Sequence, residues 1–212
     1  MWLILALYIC KVPSMPLDVR AEMRTAIAAN ITWLAPMEPR GPLDEIQYEL
    51  LYSTDGSSWS IITSNIGHTV ERYYIYLYNL QPAMPYTFKV RAYPALHDEY
   101  TESLHVENTT FQVPGPVTLL SKTDTTLNIS WTSPTDGSVN LHVFKYQKPG
   151  EVLWQTQILP GGITESNVTY YELIGSDKPL QPKTLYRVQV AIIYHSHEDF
   201  EWPEHFRSFE TL

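Results

Sequence analysis

The chain has 212 residues, of which 44% are hydrophobic and 13% aromatic, with 15 Tyr, 6 Trp and 16 Pro. Such a composition builds packed cores and excludes a disordered segment. The formal charge, 14 Lys and Arg against 23 Asp and Glu, is −9. No basic cluster interrupts that balance, which excludes a phosphate-neutralising nucleic-acid surface and docking on anionic lipid. The one cysteine is Cys10, so no disulfide within the chain and no Cys-based zinc site can form.

Residues 1–10, MWLILALYIC, are almost wholly apolar but fall short of the roughly 20 residues a membrane helix needs. Their length fits the apolar core of a secretory signal. They lack a basic leading segment, however, and no small-x-small cleavage pattern precedes Pro13. A short or truncated signal and a strand left from a preceding module both stand, and residues 1–12 are kept outside the first domain.

From Pro13 the pattern is that of short strands. Pro16, Leu17 and Val19 open an edge strand, where Pro is tolerated. In Asn30, Ile31, Thr32 and Trp33 the alternation puts Ile31 and Trp33 on one face and Asn30 and Thr32 on the other. Ile46, Tyr48, Leu50 and Tyr52 alternate with their neighbours and open a second sheet. Asp55 and Gly56 signal a hairpin turn from which Trp59 through Ile62 returns. Residues 73–77 lead into Leu80, Gln81 and Pro82, a turn signature, after which Tyr86, Phe88, Val90 and Ala92 share a face. A loop over residues 93–101 precedes a last strand around Leu104 and Val106. The Pro-rich run 112–116, QVPGP, then forms a semi-rigid joint.

Past the joint the chain repeats itself. Asn128, Ile129, Ser130 and Trp131 return the earlier strand, and Leu180, Gln181, Pro182 and Tyr186 each stand 100 positions after Leu80, Gln81, Pro82 and Tyr86. Trp33 lies 53 positions before Tyr86, and Trp131 lies 55 before Tyr186. A repeat of that size is a whole domain rather than a solenoid unit. This gives one module over 13–111 and another over 112–212. In the second, Leu141 and Val143 are expected in the third strand, where Phe144, Lys145 and Tyr146 blur the phase. Pro160, Gly161 and Gly162 mark a turn, and the strand holding Tyr170 and Tyr171 reaches Leu180 through an insertion over 174–179. A loop over 194–203 precedes a final strand with Phe206 and Phe209. No stretch carries a helical period, so the fold class is all-β with about seven strands per module.

The order of Pro opening, Trp33 with Pro36, and Leu80-x-Pro82-x-x-x-Tyr86-x-Phe88-x-Val90-x-Ala92 resembles the fibronectin type III repeat. The second module matches through Trp131, Pro134, Leu180, Pro182, Thr184 and Tyr186, so the resemblance covers residues 13–212. Met84 stands where the pattern usually has Thr, and the insertion before Leu180 departs in length. The resemblance implies two tandem immunoglobulin-like β-sandwiches. Their core would be anchored by Trp33, Leu80 and Tyr86 in the first and Trp131, Leu180 and Tyr186 in the second, each Tyr forming a tyrosine corner. The closing run 201–212 is similar to ectodomain repeats of Sevenless/Ros-type receptor tyrosine kinases. Receptor phosphatases and neural adhesion proteins stay open as parents, and any kinase activity would belong to sequence outside this chain.

Four Asn-x-Ser/Thr tripeptides begin at Asn30, Asn108, Asn128 and Asn167. Two of them sit on the outward face of equivalent strands, so all four are glycosylation candidates of a secretory-pathway protein. The loop after Tyr194 carries His195, His197, Glu198 and Asp199, but no third spaced ligand accompanies the two His. It reads as a solvated tip, and no metal or cofactor is assigned. His68, His97, His105, His142 and His205 stand singly and read as surface residues. There is no Gly-x-Ser-x-Gly elbow, no His-Glu-x-x-His and no phosphate-cradling loop, so no enzyme is expected.

The function expected is recognition of a protein ligand or co-receptor by an extracellular or cell-surface ectodomain, attached to a membrane only through sequence outside this chain. Loops on rigid sheets are the expected contacts, with His195, His197, Phe200 and Trp202 as candidates; Trp202 could equally cover the core edge. An intracellular structural protein and an accessory module of a carbohydrate-active enzyme are the alternatives.

Overall fold

The computed structural model describes residues 12–39, 42–94, 99–134, 139–160, 169–175, 177–194 and 206–212. The chain divides into two compact units, the first ending at Thr110 and the second beginning at Phe111.

The first unit contains strands β1 (Leu17–Thr25), β2 (Ala28–Leu34), β3 (Gln47–Ser53), β4 (Ser60–Ile62), β5 (Gly67–His68), β6 (Tyr73–Leu77), β7 (Pro85–Tyr93), β8 (Thr101–Glu102) and β9 (Val106–Thr109). They form two antiparallel sheets. One has the order β1-β2-β6-β5; the other runs β4-β3-β7-β8, with β9 also on β7. Alternation along β2 and β7 buries Ile31, Trp33, Phe88 and Val90 completely, as strands with one core face require. Trp33 lies between the sheets, edge-on to Tyr48 at 5.6 Å and stacked with Tyr73 at 6.0 Å.

Three local details depart from regular strands. The register of β1 shifts between Leu17 and Arg20, where Asp18 takes a φ of 45°. Arg72 holds this bulge, donating to the Asp18 carboxylate at 2.6 Å, to the Asp18 carbonyl, and to Thr32 Oγ1 at 3.2 Å. The Asp55-Gly56 turn is a six-residue loop rather than a two-residue hairpin. Asp55 Oδ1 accepts from the Ser58 and Ser57 amides at 2.7 and 2.8 Å and from the Ser53 hydroxyl at 2.9 Å. Those bonds hold its carboxyl well below the usual carboxylate range. The expected last strand is split: β8 and β9 both pair with β7, and Leu104 between them is exposed.

The second unit repeats the arrangement with β10 (Thr118–Lys122), β11 (Leu127–Thr132), β12 (Val139–Gln147), β13 (Gln155–Pro160), β14 (Thr169–Ile174), β15 (Leu185–Tyr194) and β16 (Arg207–Glu210). Its sheets have the orders β10-β11-β14 and β13-β12-β15-β16. Leu127, Ile129, Trp131, Phe144, Val188 and Val190 form its core. Phe111 stacks on Tyr194 at 4.5 Å, and the Tyr194 hydroxyl donates to the Gln112 carbonyl at 2.9 Å.

One reading is corrected in β12. His142, expected at the surface, is 1% exposed and its ring lies 6.0 Å from that of Trp131. Pairing of His142, Phe144 and Tyr146 with Ile192, Val190 and Val188 sets the inward phase of the strand. Leu141 and Val143 take the other face. Burial pushes the His142 imidazole down to about 4, so it is neutral at pH 7.

The repeated turn is locked identically in both units. Tyr86 Oη accepts from the Gln81 amide at 2.9 Å, and Tyr186 Oη from the Gln181 amide at 2.9 Å. The Leu80 amide donates to Ile27 O at 3.0 Å, and the Leu180 amide to Thr125 O at 2.9 Å. A buried threonine closes each turn from the end of the unit. Thr110 Oγ1 donates to Gln81 O at 2.5 Å and accepts from Met84 N at 2.9 Å; Thr211 does the same with Gln181 O at 2.6 Å and Thr184 N at 3.0 Å.

Candidate recognition surface

The core takes Tyr86, Phe88, Val90 and Ala92 from β7, so alternation turns Thr87, Lys89, Arg91 and Tyr93 to the outer face. Register places Arg91 between Glu49 on β3 and Glu102 on β8, and places Lys89 beside Leu51. Opposite charges directly across a sheet attract. Lys89 Nζ donates to Glu102 Oε2 at 2.9 Å, and Arg91 Nε to Glu102 Oε1 at 2.8 Å. Arg91 also lies 3.6 Å from Glu49, whose Oε2 accepts from the Tyr93 hydroxyl at 2.5 Å.

Aromatic rings flank these charges. The Lys89 ammonium sits 4.3 Å from the Trp59 ring centroid, and the Arg91 guanidinium 4.3 Å from that of Tyr100. Tyr100 in turn packs against Tyr93 at 5.3 Å. Charge and ring thus alternate along one face, from Trp59 through Lys89, Glu102 and Arg91 to Tyr100 and Tyr93. Leu51, on the same outer row between Lys89 and Ile61, is nevertheless 1% exposed, as expected where long side chains lay their stems over a sheet.

The protonation states are fixed by this packing. Burial opposes ionisation of Glu102, but the Lys89 and Arg91 hydrogen bonds outweigh it and hold the carboxyl below its ordinary value. Burial, then the bond to Glu49, pushes the Tyr93 hydroxyl up. It stays protonated and donating at neutral pH. The two cations and two carboxylates balance, leaving a neutral, amphipathic face with Tyr100 and Ile61 exposed at its margin.

Of the glycosylation candidates, Asn30 is half-buried on β2, Asn128 half-buried on β11, and Asn108 exposed on β9. The Asn108 Nδ2 donates to Ala21 O at 2.9 Å. Asn167, His195, His197, Phe200 and Trp202 lie outside the described residues, and so does part of the 93–101 loop. Among the described residues no three His, Cys, Asp or Glu side chains are grouped to hold a metal ion. Sequence reasoning missed Glu49, Lys89 and Arg91 because it took only the apolar half of each alternation. It reads Glu102 as part of a solvated loop tip, whereas Glu102 lies on β8 and is paired with Lys89 and Arg91. The available signal was the run of cationic positions Lys89 and Arg91 on the polar half of β7.

The fibronectin type III domain profile matches residues 13–109, the stretch that carries the two sheets, the buried Trp33 and the Tyr86 corner of the first unit. This stretch is a fibronectin type III domain. The second unit carries the same turn lock and a buried Trp131, so the fold is that of two tandem immunoglobulin-like β-sandwiches. Mouse protein sidekick-2 is 26% identical over 152 residues. That match takes in 69% of this chain and only 7% of sidekick-2, so the chain spans a small fraction of the relative's length. Among solved structures, the chicken CNTN1 FN1–FN3 domains align over 94% of this chain and 68% of theirs, at 19% identity and a TM-score of 0.43. A two-domain fibronectin type III segment of chicken tenascin aligns over 92% and 99%, at 17% identity and a TM-score of 0.38. Among the described residues no helix is long and apolar enough to cross a membrane.

Proposed function

We propose that this chain is a non-catalytic part of a cell-surface adhesion or receptor ectodomain, and that its first fibronectin type III domain binds a protein partner through the outer face of β4-β3-β7-β8. The observation that carries this reading is the ladder from Trp59 to Tyr93. Its charges are already paired and its rings already packed. Binding there therefore costs little side-chain ordering, one of the terms that oppose association. Tyr, Trp and Arg are also the side chains that anchor interfaces. The likeness to sidekick-2 and the four sequons support an extracellular setting.

The test displays the chain, secreted from mammalian cells, against itself and against other fibronectin type III ectodomains by surface plasmon resonance. Tyr100 is 43% exposed and Ile61 52% exposed, so Tyr100→Ala and Ile61→Asp change the face with little effect on the core. Each is expected to weaken binding about tenfold or more. Binding that survives both and is lost in Trp202→Ala would move the contact to the 194–203 segment and overturn the assignment.

A further inference from the structure

The opposite sheet of the first domain carries a second aromatic array, and a sequon stands inside it. Ile75 and Leu77 of β6 point into the core, which turns Tyr74, Tyr76 and then Tyr78 outward; Tyr76 is 50% and Tyr78 69% exposed. Tyr74 and Tyr76 meet edge to face at 5.6 Å. The Tyr74 ring lies close over β5: a Cβ on Gly67 would lie 2.2 Å from its Cζ, so the ring packs where glycine leaves room for it. Tyr76 is thus supported on one edge by Tyr74 and open to solvent on the other side.

Asn30 is the direct cross-strand partner of Tyr76, with Thr32 opposite Tyr74. Directly opposed residues on one face hold their Cβ atoms about 4.5–5.5 Å apart. The Asn30 Oδ1 is covered, which leaves Nδ2 as the outward end of the amide. Among the described residues that nitrogen donates to nothing, whereas the Asn108 Nδ2 is engaged by Ala21 O at 2.9 Å. In the second unit the residue paired with Asn128 is Leu173. A sequon, an outward amide nitrogen and a half-exposed aromatic neighbour, Tyr76, thus coincide at Asn30.

We infer that Asn30 is N-glycosylated and that the first N-acetylglucosamine of its glycan packs the C–H face of its ring on Tyr76, covering the β1-β2-β6-β5 face. In the transfer the Asn30 Nδ2 bonds to C1 of the first sugar of a lipid-pyrophosphate-linked oligosaccharide as the C1–O bond to the pyrophosphate breaks. The amide gives up one proton to the transferase's base, before the strand is sealed into the sheet. The sugar's apolar C–H face meets the electron-rich face of the ring, and its hydroxyls stay in water. The glycan leaves the opposite sheet as the open face for a protein partner. The inference rests on the extracellular reading above.

The test uses the full chain secreted from mammalian cells, with site occupancy read by glycopeptide mass spectrometry and by intact mass before and after deglycosylation. Occupancy is expected at Asn30. In protein trimmed to single N-acetylglucosamines, the N-acetyl and ring protons of the Asn30 sugar should show upfield ring-current shifts. Those shifts should vanish in Tyr76→Ser, and the melting temperature should exceed that of the sugar-free protein in the wild type and not in Tyr76→Ser. Asn30 occupied without ring-current shifts overturns the packing. Asn30 vacant while Asn108, Asn128 or Asn167 is occupied overturns the site and leaves the extracellular reading standing. A chain bare at all four overturns the site and the extracellular reading together.

Discussion

At the scale of single residues, the turn before each tyrosine corner is held by a few hydrogen bonds that little water can replace. Tyr86 is 5% exposed and its hydroxyl receives the Gln81 amide. Tyr86→Phe removes the acceptor while keeping the ring, and leaves that N–H without its partner. The expected cost is about 1–3 kcal/mol, read as a lower melting temperature for the first domain alone. A loss below about 0.5 kcal/mol would mean that the bond adds little to stability. The tyrosine was legible in sequence because it ends a repeated Leu-x-Pro motif. The threonines that close the same turn, Thr110 and Thr211, were not. Each stands at the end of its unit, where a polar residue looks solvent-facing, and only the fold brings its hydroxyl to Gln81 or Gln181. The same geometry explains why Met84 can replace the usual Thr. Position 84 supplies its backbone amide and carbonyl to Thr110, so its side chain is free to vary.

At the scale of elements, strand existence was legible and strand phase was not always so. Along β12 the run Leu141, His142, Val143, Phe144, Lys145, Tyr146 is apolar or aromatic on both parities, so alternation alone cannot choose the buried face. Pairing with β15 chooses it, and His142 is carried inside. Along β7 the parity is clean, and the apolar half gave the core, but the value of the polar half depends on what β3 and β8 place beside it. Strand β8 has two residues, and Glu102 is the one that ties it to Lys89 and Arg91. Glu102→Gln keeps the shape and removes the charge. Because the side chain is 32% exposed, solvent screening limits the expected loss to about 1 kcal/mol. Hydrogen exchange should show faster opening at β8 with β2 and β3 unchanged. Equal protection at β8 in both proteins would mean that backbone pairing, not the ladder, holds that edge.

At the scale of the whole chain, the two domains share a fold but respond differently to acid. In the first, Asp18, Asp55 and Glu102 all have carboxyls held below their ordinary values. Carboxylates of this kind stabilise the fold fully above their unfolded pKa, near 4, and lose that contribution only as pH falls through the lowered folded values. Between pH 7 and pH 5 they contribute no slope. In the second domain His142 is lowered from 6.5 to about 4 by burial. The unfolded chain binds a proton below pH 6.5 that the folded domain refuses, so stability is full above pH 6.5 and falls as pH drops toward 4. At pH 5 this amounts to about 2 kcal/mol, a fall of roughly 10 °C for a domain of this size. Scanning calorimetry of the full chain at pH 7 and pH 5 should therefore move one transition and leave the other nearly fixed. Tyr86→Phe identifies the first domain's transition, because it lowers that one alone. His142→Phe should remove the pH shift from the other, since the benzyl ring fills the space beside Trp131 without a group to protonate. A shift that persisted in His142→Phe, or that moved both transitions together, would place the acid sensitivity elsewhere in the chain.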